Sequence, residues 1–281
     1  MPPLVVATRE ALREALEDTR PGLVPTMGAL HTGHCALIER AARENALTVV
    51  SIFVNPTQFG DPADLARYPR DLERDIRQAG EAGADMVFAP TVEAVYPPGF
   101  ETFVDPGDVA LRWEGASRPG HFRGVATVVT ILLNLVQPRR AYFGEKDYQQ
   151  VQVIRRIHHD LALPGDIVAC PTIRDPDGLA LSSRNARISP TARVQAAAIP
   201  RAIAAVQEAA AGGEQIVERL NGIAADMLQT AGLRVDYVAI VDGETLAPLQ
   251  TLRGKARLLV AAEIDGVRLI DNAPAVACGA G

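Results

Sequence analysis

The stretch Val24-Pro25-Thr26-Met27-Gly28-Ala29-Leu30-His31-Thr32-Gly33-His34 decides the fold. A short apolar segment precedes the first glycine, and a helix-like apolar pattern follows the second histidine. This order predicts a strand, a tight turn and a helix, with both imidazoles at the helix entry. A helix N-terminus carries unpaired N–H groups and a partial positive charge, so the segment predicts a phosphate site. Gly28 and Gly33 are expected to let the backbone approach a ligand closely.

Strand and helix patterns alternate along the first two thirds of the chain. The strand patterns cover 23–26, 48–54, 85–89, 141–143 and 166–170, and the helix patterns cover 71–82, 125–136 and 147–161. The segment 48–54 shows no polar alternation, as expected of a strand that is covered on both faces. The chain is therefore predicted to be an α/β protein, with a parallel, doubly wound sheet.

The pattern changes near Asp175-Pro176-Asp177-Gly178. Beyond it, 190–211 and 213–231 read as helices, and 234–241 and 255–264 read as strands. Asp265-Gly266 then lies between two apolar segments, which is a strong signal for a two-residue hairpin. We expect a Rossmann-like domain at residues 1–175 and a smaller C-terminal α+β lid domain at 176–281, with the loop at 182–184 as hinge.

Composition excludes several classes of protein. The 281 residues carry a net charge of −6, which argues against a nucleic-acid partner because such a partner requires a basic face. No segment approaches the roughly 20 apolar residues of a membrane span, and no secretory signal is evident. We therefore expect a cytoplasmic protein without a membrane partner. The three cysteines are too few and too scattered for a disulfide framework or a zinc cage, and no protein metal site is expected.

Cys35 follows His34 directly, which leaves a Cys–His nucleophile pair conceivable. Adjacent residues of a helix face different directions, however. This favours the interpretation of Cys35 as a small structural residue.

The His-x-Gly-His pattern at a helix entry resembles the signature of the nucleotidylyltransferase superfamily, which has a Rossmann-like fold. Further motifs lie at 25–28, 51–59, 68–70, 120–124, 144–150 and 177–185. These motifs resemble those of the pantoate–β-alanine ligase (pantothenate synthetase) family, and they follow one another in that family's order. The resemblance implies an enzyme that joins pantoate to β-alanine with ATP. A pantoyl adenylate and pyrophosphate form first, and the β-alanine amine then releases AMP and pantothenate. It also implies Mg²⁺ with the ATP and a homodimer.

The resemblance assigns catalytic roles to His34, His31, Lys146 and Arg184. Aimed donors matter most where negative charge develops during attack on the α-phosphorus. Lys146 supplies a point charge for phosphate, and two serines beside Arg184 can form a phosphate clamp. The predicted ATP-binding residues are Met27, Gly28, Ala29, Leu30, His31, Thr32, Gly33, His34, Gly144, Glu145, Lys146, Asp147, Ile173, Leu181, Ser182, Ser183 and Arg184.

The substrate-binding residues that the resemblance implies are Gln58, Gln150 and Asn55. An amide offers both donors and an acceptor, which suits a small hydroxy acid such as pantoate. Spacing alone favours the interpretation that Asn55 and Gln58 cap a loop.

Several alternatives stay open at this point. Glu145-Lys146-Asp147 could be a solvated turn, and the segment 182–184 could be a polar loop between domains. His121 and Arg123 fall in a segment that could be a mobile lid or a pantoate-facing loop, and neither is given a role. The alternative activities are an adenylyltransferase acting on another small acceptor, and a nucleotide-binding regulatory protein without turnover.

Overall fold

A computed structural model describes residues 2–276 of the chain. These residues divide into two compact units. The first contains the residues up to 145 together with 149–171, and the second contains 146–148 together with the residues from 172 onward. Each unit has its own sheet.

The sheet of the first unit contains six parallel strands within residues 2–276, in the order β1-β4-β3-β2-β5-β6. The strands are β1 (Leu4–Val6), β2 (Gly22–Thr26), β3 (Thr48–Ile52), β4 (Met86–Phe88), β5 (Arg140–Gly144) and β6 (Asp166–Cys170). Every residue of β3 is buried, in agreement with its uniform apolar pattern. The predicted α/β fold with a doubly wound parallel sheet is confirmed.

Helices connect the strands of this sheet. They are α1 (Arg9–Leu16), α2 (Thr32–Glu44), α3 (Pro62–Arg67), α4 (Leu72–Glu81), α5 (Val92–Val95), α6 (Glu114–Ser117), α7 (His121–Val136) and α8 (Tyr148–Asp160). Side chains begin several of them: Thr8 caps α1 and Asp71 caps α4, each by accepting from a backbone N–H three residues later. Short 3-10 helices lie at Pro56–Gln58, Gly107–Ala110, Glu145–Asp147 and Ser183–Arg187.

The strand order places a topological switch between β2 and β5. From β2 the chain continues to β3 and β4 on one side, and then crosses to β5 and β6 on the other. β2 and β5 are direct neighbours, with Leu23 opposite Ala141. Ligands of open α/β sheets bind beyond the carboxyl ends of the strands at such a switch. The fold therefore points to the segments that follow Thr26 and Gly144.

The second unit contains an antiparallel sheet and three α-helices among its described residues. The sheet is β7 (Arg234–Asp242), β8 (Ala256–Ile264) and β9 (Val267–Pro274), and the helices are α9 (Pro190–Ala196), α10 (Ala198–Ala211) and α11 (Val217–Thr230). Alternate residues of β8, including Leu258 and Val260, join Ile203 and Leu220 of the helices in one apolar core. The predicted smaller α+β region is confirmed as to its elements.

The predicted hairpin between β8 and β9 is confirmed. Its two turn residues, Asp265 and Gly266, have φ values of 55° and 69°. Two left-handed residues in succession fit a tight turn whose twist matches that of the strands.

The prediction of one helix over 190–211 is wrong. The chain forms α9 and α10, which are separated at Ala197. Pro200 lacks the N–H that would donate to the carbonyl of Ala196 in a continuous helix, and this loss explains the break. No helix between residues 2 and 276 has the length and apolar character needed to cross a membrane.

Candidate functional site

The turn after β2 is built from left-handed residues and a threonine. Gly28 and Ala29 have φ values of 78° and 51°. The hydroxyl of Thr26 accepts from the Gly28 N–H at 3.2 Å and donates to the carbonyl of Ser51 at 2.7 Å. These bonds join the end of β2 to β3. The chain therefore leaves the sheet in a fixed direction before it enters α2.

A buried carboxylate organises the same turn. Asp75 on α4 is 2% exposed, and its two oxygens accept from the N–H groups of Ala29 and Leu30, each at 2.8 Å. A Cβ on Gly28 would lie 2.7 Å from Asp75 Oδ2. Glycine is thus required at position 28, because a larger residue would clash with Asp75. The contact of Gly28 with ATP stays a prediction. In the sequence, Asp75 lies four residues before Ala79 on the same face of α4, but nothing there identifies the histidine turn as its partner.

The two histidines lie at the start of α2, as predicted. His31 is the N-cap, and its Nδ1 accepts from the Gly33 N–H at 3.1 Å. Because Nδ1 accepts, the proton of the neutral ring is on Nε2, which leaves that atom as a donor. His34 follows in the first turn, and the centroids of the two rings are 4.1 Å apart. Two imidazoles and the positive end of a helix are therefore concentrated at one place.

A network of buried amides follows β3. Asn55 is 1% exposed, and its Nδ2 donates to Oε1 of Gln58 at 3.0 Å and to the carbonyl of Gly124 at 3.2 Å. Asn55 Oδ1 accepts from the backbone N–H and the hydroxyl of Thr57 and from the hydroxyl of Tyr96. Asn55 does cap the 3-10 helix that contains Gln58, as the loop interpretation expects.

Asn55 also determines the orientation of the Gln58 amide. Since Gln58 Oε1 accepts from Asn55, its Nε2 points the other way and donates to Sδ of Met27 at 3.0 Å. Gln58 therefore contacts the turn that contains the two histidines. The predicted direct contacts of Asn55 and Gln58 with substrate stay predictions.

Helix α7 supports this network, and it begins within the segment of His121 and Arg123, which the sequence analysis left open as a lid or a loop. Both residues lie in the first turn of α7, where His121 is buried with its Nδ1 2.9 Å from the carbonyl of Gln58. A Cβ on Gly124 would lie 2.5 Å from the carbonyl oxygen of Thr57. Gly124 thus allows the helix to pack directly on the backbone beside Gln58. The apolar pattern from 125 onward hid this polar first turn.

The segment after β5 contains the predicted phosphate lysine. The Lys146 side chain is 16% exposed and the Asp147 side chain 49%, with Lys146 Nζ 3.4 Å from Asp147 Oδ1. The alternative of a solvated turn at residues 145–147 therefore describes Asp147 better than Lys146. Of the next two glutamines, Gln149 is buried and bonds the backbone of residues 109, 112 and 114. Gln150, the predicted pantoate residue, is only partly buried.

The second unit holds the other predicted ATP residues. The N–H of Leu181 donates to the carbonyl of Ile173 at 2.9 Å, which joins two of them in a short hairpin. Ser182 then caps a 3-10 helix, because its Oγ accepts from the Arg184 N–H at 3.2 Å. The hydroxyl of Ser182 retains its own proton for donation to a ligand. Ser183 and Arg184 begin that helix.

Comparisons with known proteins identify one family over nearly the whole chain. The family model described as pantoate-beta-alanine ligase matches residues 4–274. The pantothenate synthetase of Thermus thermophilus is 53% identical over 268 residues, which cover 95% of this chain and 97% of that protein. The pantothenate synthetase of a Roseiflexus species is 50% identical over 268 residues, which cover 95% of this chain and 96% of that protein.

Solved structures agree with the sequence comparisons. A crystal structure of the Thermus thermophilus pantothenate synthetase matches with a TM-score of 0.93 and 51% identity, over 97% of this chain and 99% of that chain. The pantoate-beta-alanine ligase of Francisella tularensis, solved in complex with beta-gamma ATP and beta-alanine, matches with a TM-score of 0.79 and 36% identity. That match covers 97% of both chains.

Proposed function

Because the chain belongs to the pantoate-beta-alanine ligase family, we propose that it condenses pantoate with β-alanine, with ATP converted to AMP and pyrophosphate. The observation that carries this proposal is the contact between Gln58 Nε2 and Met27 Sδ at 3.0 Å. The Gln58 amide suits a hydroxy acid, and the start of α2 suits a phosphate. The contact therefore joins the two kinds of binding group at the same turn. An acid and the phosphates of a nucleotide would thus meet at the switch point of the sheet.

In the first step, a carboxylate oxygen of pantoate attacks the α-phosphorus of ATP. A new P–O bond forms, the bond to the leaving pyrophosphate breaks, and pantoyl adenylate results. His34 and His31 stabilise the negative charge that develops on the phosphate oxygens, and the N-terminus of α2 adds its partial positive charge. Gln58 and Gln150 hold pantoate through its carboxylate and hydroxyl groups, and Asn55 completes the substrate-binding set.

Cationic and hydroxyl groups bind the remaining parts of the nucleotide. Lys146 interacts with the phosphates as a point charge, and Ser182, Ser183 and Arg184 clamp them. Asp147 accepts from the ribose hydroxyls. The backbone of Ile173 contacts the base. Residues 27–34 with Gly144, Glu145 and Leu181 complete the ATP-binding set.

In the second step, the amine of β-alanine attacks the acyl carbon of pantoyl adenylate. The C–N bond forms, the amine loses a proton, and AMP departs with the electrons of the former acyl–oxygen bond. The groups that stabilised charge on the α-phosphate also stabilise the AMP that leaves.

Magnesium enters as part of the substrate MgATP. Residues 2–276 contain no group of three His, Cys, Asp or Glu side chains able to hold a metal ion by themselves. Mg²⁺ in nucleotide sites is commonly held by the phosphates with one or two carboxylates, so the residues present fit an ion that arrives with ATP. We also propose a homodimer and a cytoplasmic location. The division into an ATP- and pantoate-binding domain at 1–175 and a lid domain at 176–281 stays a prediction.

An assay of AMP formation tests the proposed function. The protein is mixed with MgATP, pantoate and β-alanine, and each acid is omitted in turn. We expect sustained AMP formation only when both acids are present. Pyrophosphate release without AMP, in the presence of some other small acceptor, would favour the adenylyltransferase instead, because the adenylyl group then stays on the acceptor. No turnover with any acceptor would favour a regulatory nucleotide-binding protein.

The role of His34 is tested in the first step alone. Pantoate-dependent exchange of labelled pyrophosphate into ATP reports adenylate formation without β-alanine. His34→Ala is expected to reduce this exchange by about 100-fold or more, the range for loss of an aimed donor to a developing negative charge. His159→Ala is the matched control, since the His159 side chain is 86% exposed at the end of α8. Near-normal exchange by a folded His34→Ala protein would refute the assignment.

A further inference from the structure

The segment with Lys146 is attached to the sheet of the second unit. Residues 146–148 group with that unit, whereas residue 145 and residues from 149 to 171 group with the first. Asn272 on β9 is 4% exposed, and its Nδ2 donates to the backbone carbonyl of Lys146 at 2.9 Å. A buried side chain therefore fixes the main chain of the predicted phosphate lysine.

Arg257 on β8 holds Asn272 in the required orientation. Its Nε donates to Asn272 Oδ1 at 2.7 Å, and a second guanidinium nitrogen also donates to that atom. Because Oδ1 is the acceptor for Arg257, Nδ2 is the atom that faces Lys146. The amide cannot flip without losing both the bonds from Arg257 and the bond to Lys146.

Tyr148 provides a second attachment for the same segment. The guanidinium carbon of Arg257 lies 4.2 Å from the centroid of the Tyr148 ring, and the Tyr148 hydroxyl donates to the carbonyl of Gly243 at 2.8 Å. The segment is thus bound at both ends, at Lys146 by an amide and at Tyr148 by a stacked cation and a hydrogen bond.

This cluster is separate from the apolar core of its own unit. The residues of β8 that pack in that core include Leu258, Val260 and Ala262, whereas Arg257 points to the opposite face of the sheet. Asn272 and Tyr148 are also outside that core. The burial of Arg257 and Asn272 is therefore not explained by packing in the apolar core.

We propose that Asn272, oriented by Arg257, is a positioning residue that delivers the Lys146 ammonium to the phosphates of ATP. This inference rests on the proposed phosphate role of Lys146. A lysine side chain is long and flexible, so its contribution to phosphate binding depends on how firmly its backbone is held. Asn272 touches neither the substrate nor the reacting atoms in this role, and it acts only through Lys146.

Calorimetric titration with MgATP, in the absence of both acids, tests the inference. The variants are Asn272→Asp, Lys146→Ala and the double variant. Asn272→Asp keeps an acceptor for Arg257 but removes the donor to Lys146, and it sets a carboxylate against the Lys146 carbonyl. Loss of this bond is expected to raise the Kd of MgATP about five- to tenfold, as for the loss of a single hydrogen bond. The affinity for pantoate alone is expected to stay unchanged.

The double variant distinguishes positioning from general damage. If Asn272 acts through Lys146, the double variant binds MgATP no more weakly than Lys146→Ala alone. The inference is overturned if the two single losses of MgATP affinity multiply in the double variant. It is also overturned if Asn272→Asp binds MgATP with the wild-type Kd while Lys146→Ala binds it more weakly. Both outcomes leave the role of Lys146 intact. A wild-type Kd for Lys146→Ala would overturn the proposed role of Lys146, and the inference with it.

A matched control addresses lost stability. Leu269→Ala removes a buried side chain of the same strand from the apolar core, and it is expected to lower the unfolding midpoint with no change in the Kd of MgATP. If Asn272→Asp does not fold, Asn272→Ser replaces it, since serine is too short to reach the carbonyl. An equal loss of MgATP affinity in Leu269→Ala would contradict positioning and indicate a structural role alone.

Discussion

Asn55 and Gln58 form a one-way amide pair, in which Asn55 Nδ2 donates to Gln58 Oε1 at 3.0 Å. The donor end of Gln58 is thereby directed towards Met27. Asn55→Asp should reverse this arrangement, because a carboxylate cannot donate and the Gln58 amide would turn its Nε2 towards it. We expect the KM for pantoate to rise by about tenfold or more, as for a buried polar group that loses its partner, with little change in the KM for ATP. Steady-state kinetics with each substrate varied would measure this split.

Tyr96→Phe is the control for that variant. It removes a hydroxyl that donates to Asn55 Oδ1 at 2.8 Å, but it leaves the bond from Asn55 to Gln58 in place. A small effect on the pantoate KM is expected. If both substitutions raised the pantoate KM equally, the cause would be the loss of a buried hydrogen bond at Asn55 and not the orientation of Gln58.

The carboxylate of Asp75 should be necessary for the histidine turn. Asp75→Asn replaces one oxygen by an NH₂ group, which would face a backbone N–H of Ala29 or Leu30. A buried donor without an acceptor costs about 1–3 kcal/mol, and the displaced turn would move both imidazoles. Pantoate-dependent pyrophosphate exchange is expected to fall about tenfold or more, together with the unfolding midpoint. Glu73→Gln is the control, since Glu73 is on the exposed face of the same helix, and it should match wild type in both measurements. If Asp75→Asn also matched wild type in exchange and in unfolding midpoint, Asp75 would not be necessary for the turn.

The sequence predicts the elements whose signals are local. Asp71 begins a predicted helix, Asp265-Gly266 predicts a hairpin, and the apolar run of β3 predicts a buried strand. In each case the residues that form the element also carry its signal. The histidine turn belongs to this class, since β2, the glycines and the start of α2 are contiguous.

The interactions that could not be predicted from the sequence join residues that are distant along the chain. Asp75 binds a turn more than forty residues earlier, and Asn272 binds a carbonyl more than a hundred residues earlier. Neither side chain shows a local sign of its partner. The first turn of α7 was hidden for the same reason, because His121 and Gly124 are explained only by the backbone at Thr57 and Gln58. The break at Ala197 was readable, since Pro200 marks it.

Gly124→Ala should destabilise the protein although alanine favours helices. The added Cβ would lie 2.5 Å from the Thr57 carbonyl oxygen and 2.8 Å from the Gln58 nitrogen, and backbone atoms cannot yield as a side chain can. Overpacking of this kind costs about 1–3 kcal/mol, which exceeds the gain of about 1 kcal/mol in helix propensity. A lower midpoint in denaturant and a higher pantoate KM are expected, because the displaced backbone carries Gln58.

Gly222→Ala provides the matched comparison for Gly124→Ala. Gly222 lies in α11, and a Cβ there would meet nothing within 4 Å. This variant should gain about 0.5–1 kcal/mol. A stabilised Gly124→Ala would show that α7 can move away from residues 57 and 58 at no cost.

Cys35 offers a pH-dependent test of the Cys–His nucleophile alternative. Burial, together with the nearby carboxylate of Glu39, raises the pKa of the Cys35 thiol. A raised pKa leaves less thiolate at neutral pH than in a free cysteine, and the thiolate is the reactive form. We expect slow alkylation of Cys35 at about pH 7, which becomes faster only when the pH rises through the raised value. Cys35→Ser should retain ligase activity within about twofold, since the substitution is nearly isosteric and no step uses the thiol. Mass spectrometry of alkylated peptides over a pH series, beside activity measured on the same samples, would check both expectations. Rapid inactivation at neutral pH that Cys35→Ser abolishes, together with loss of activity in that variant, would instead support a nucleophilic thiol next to His34.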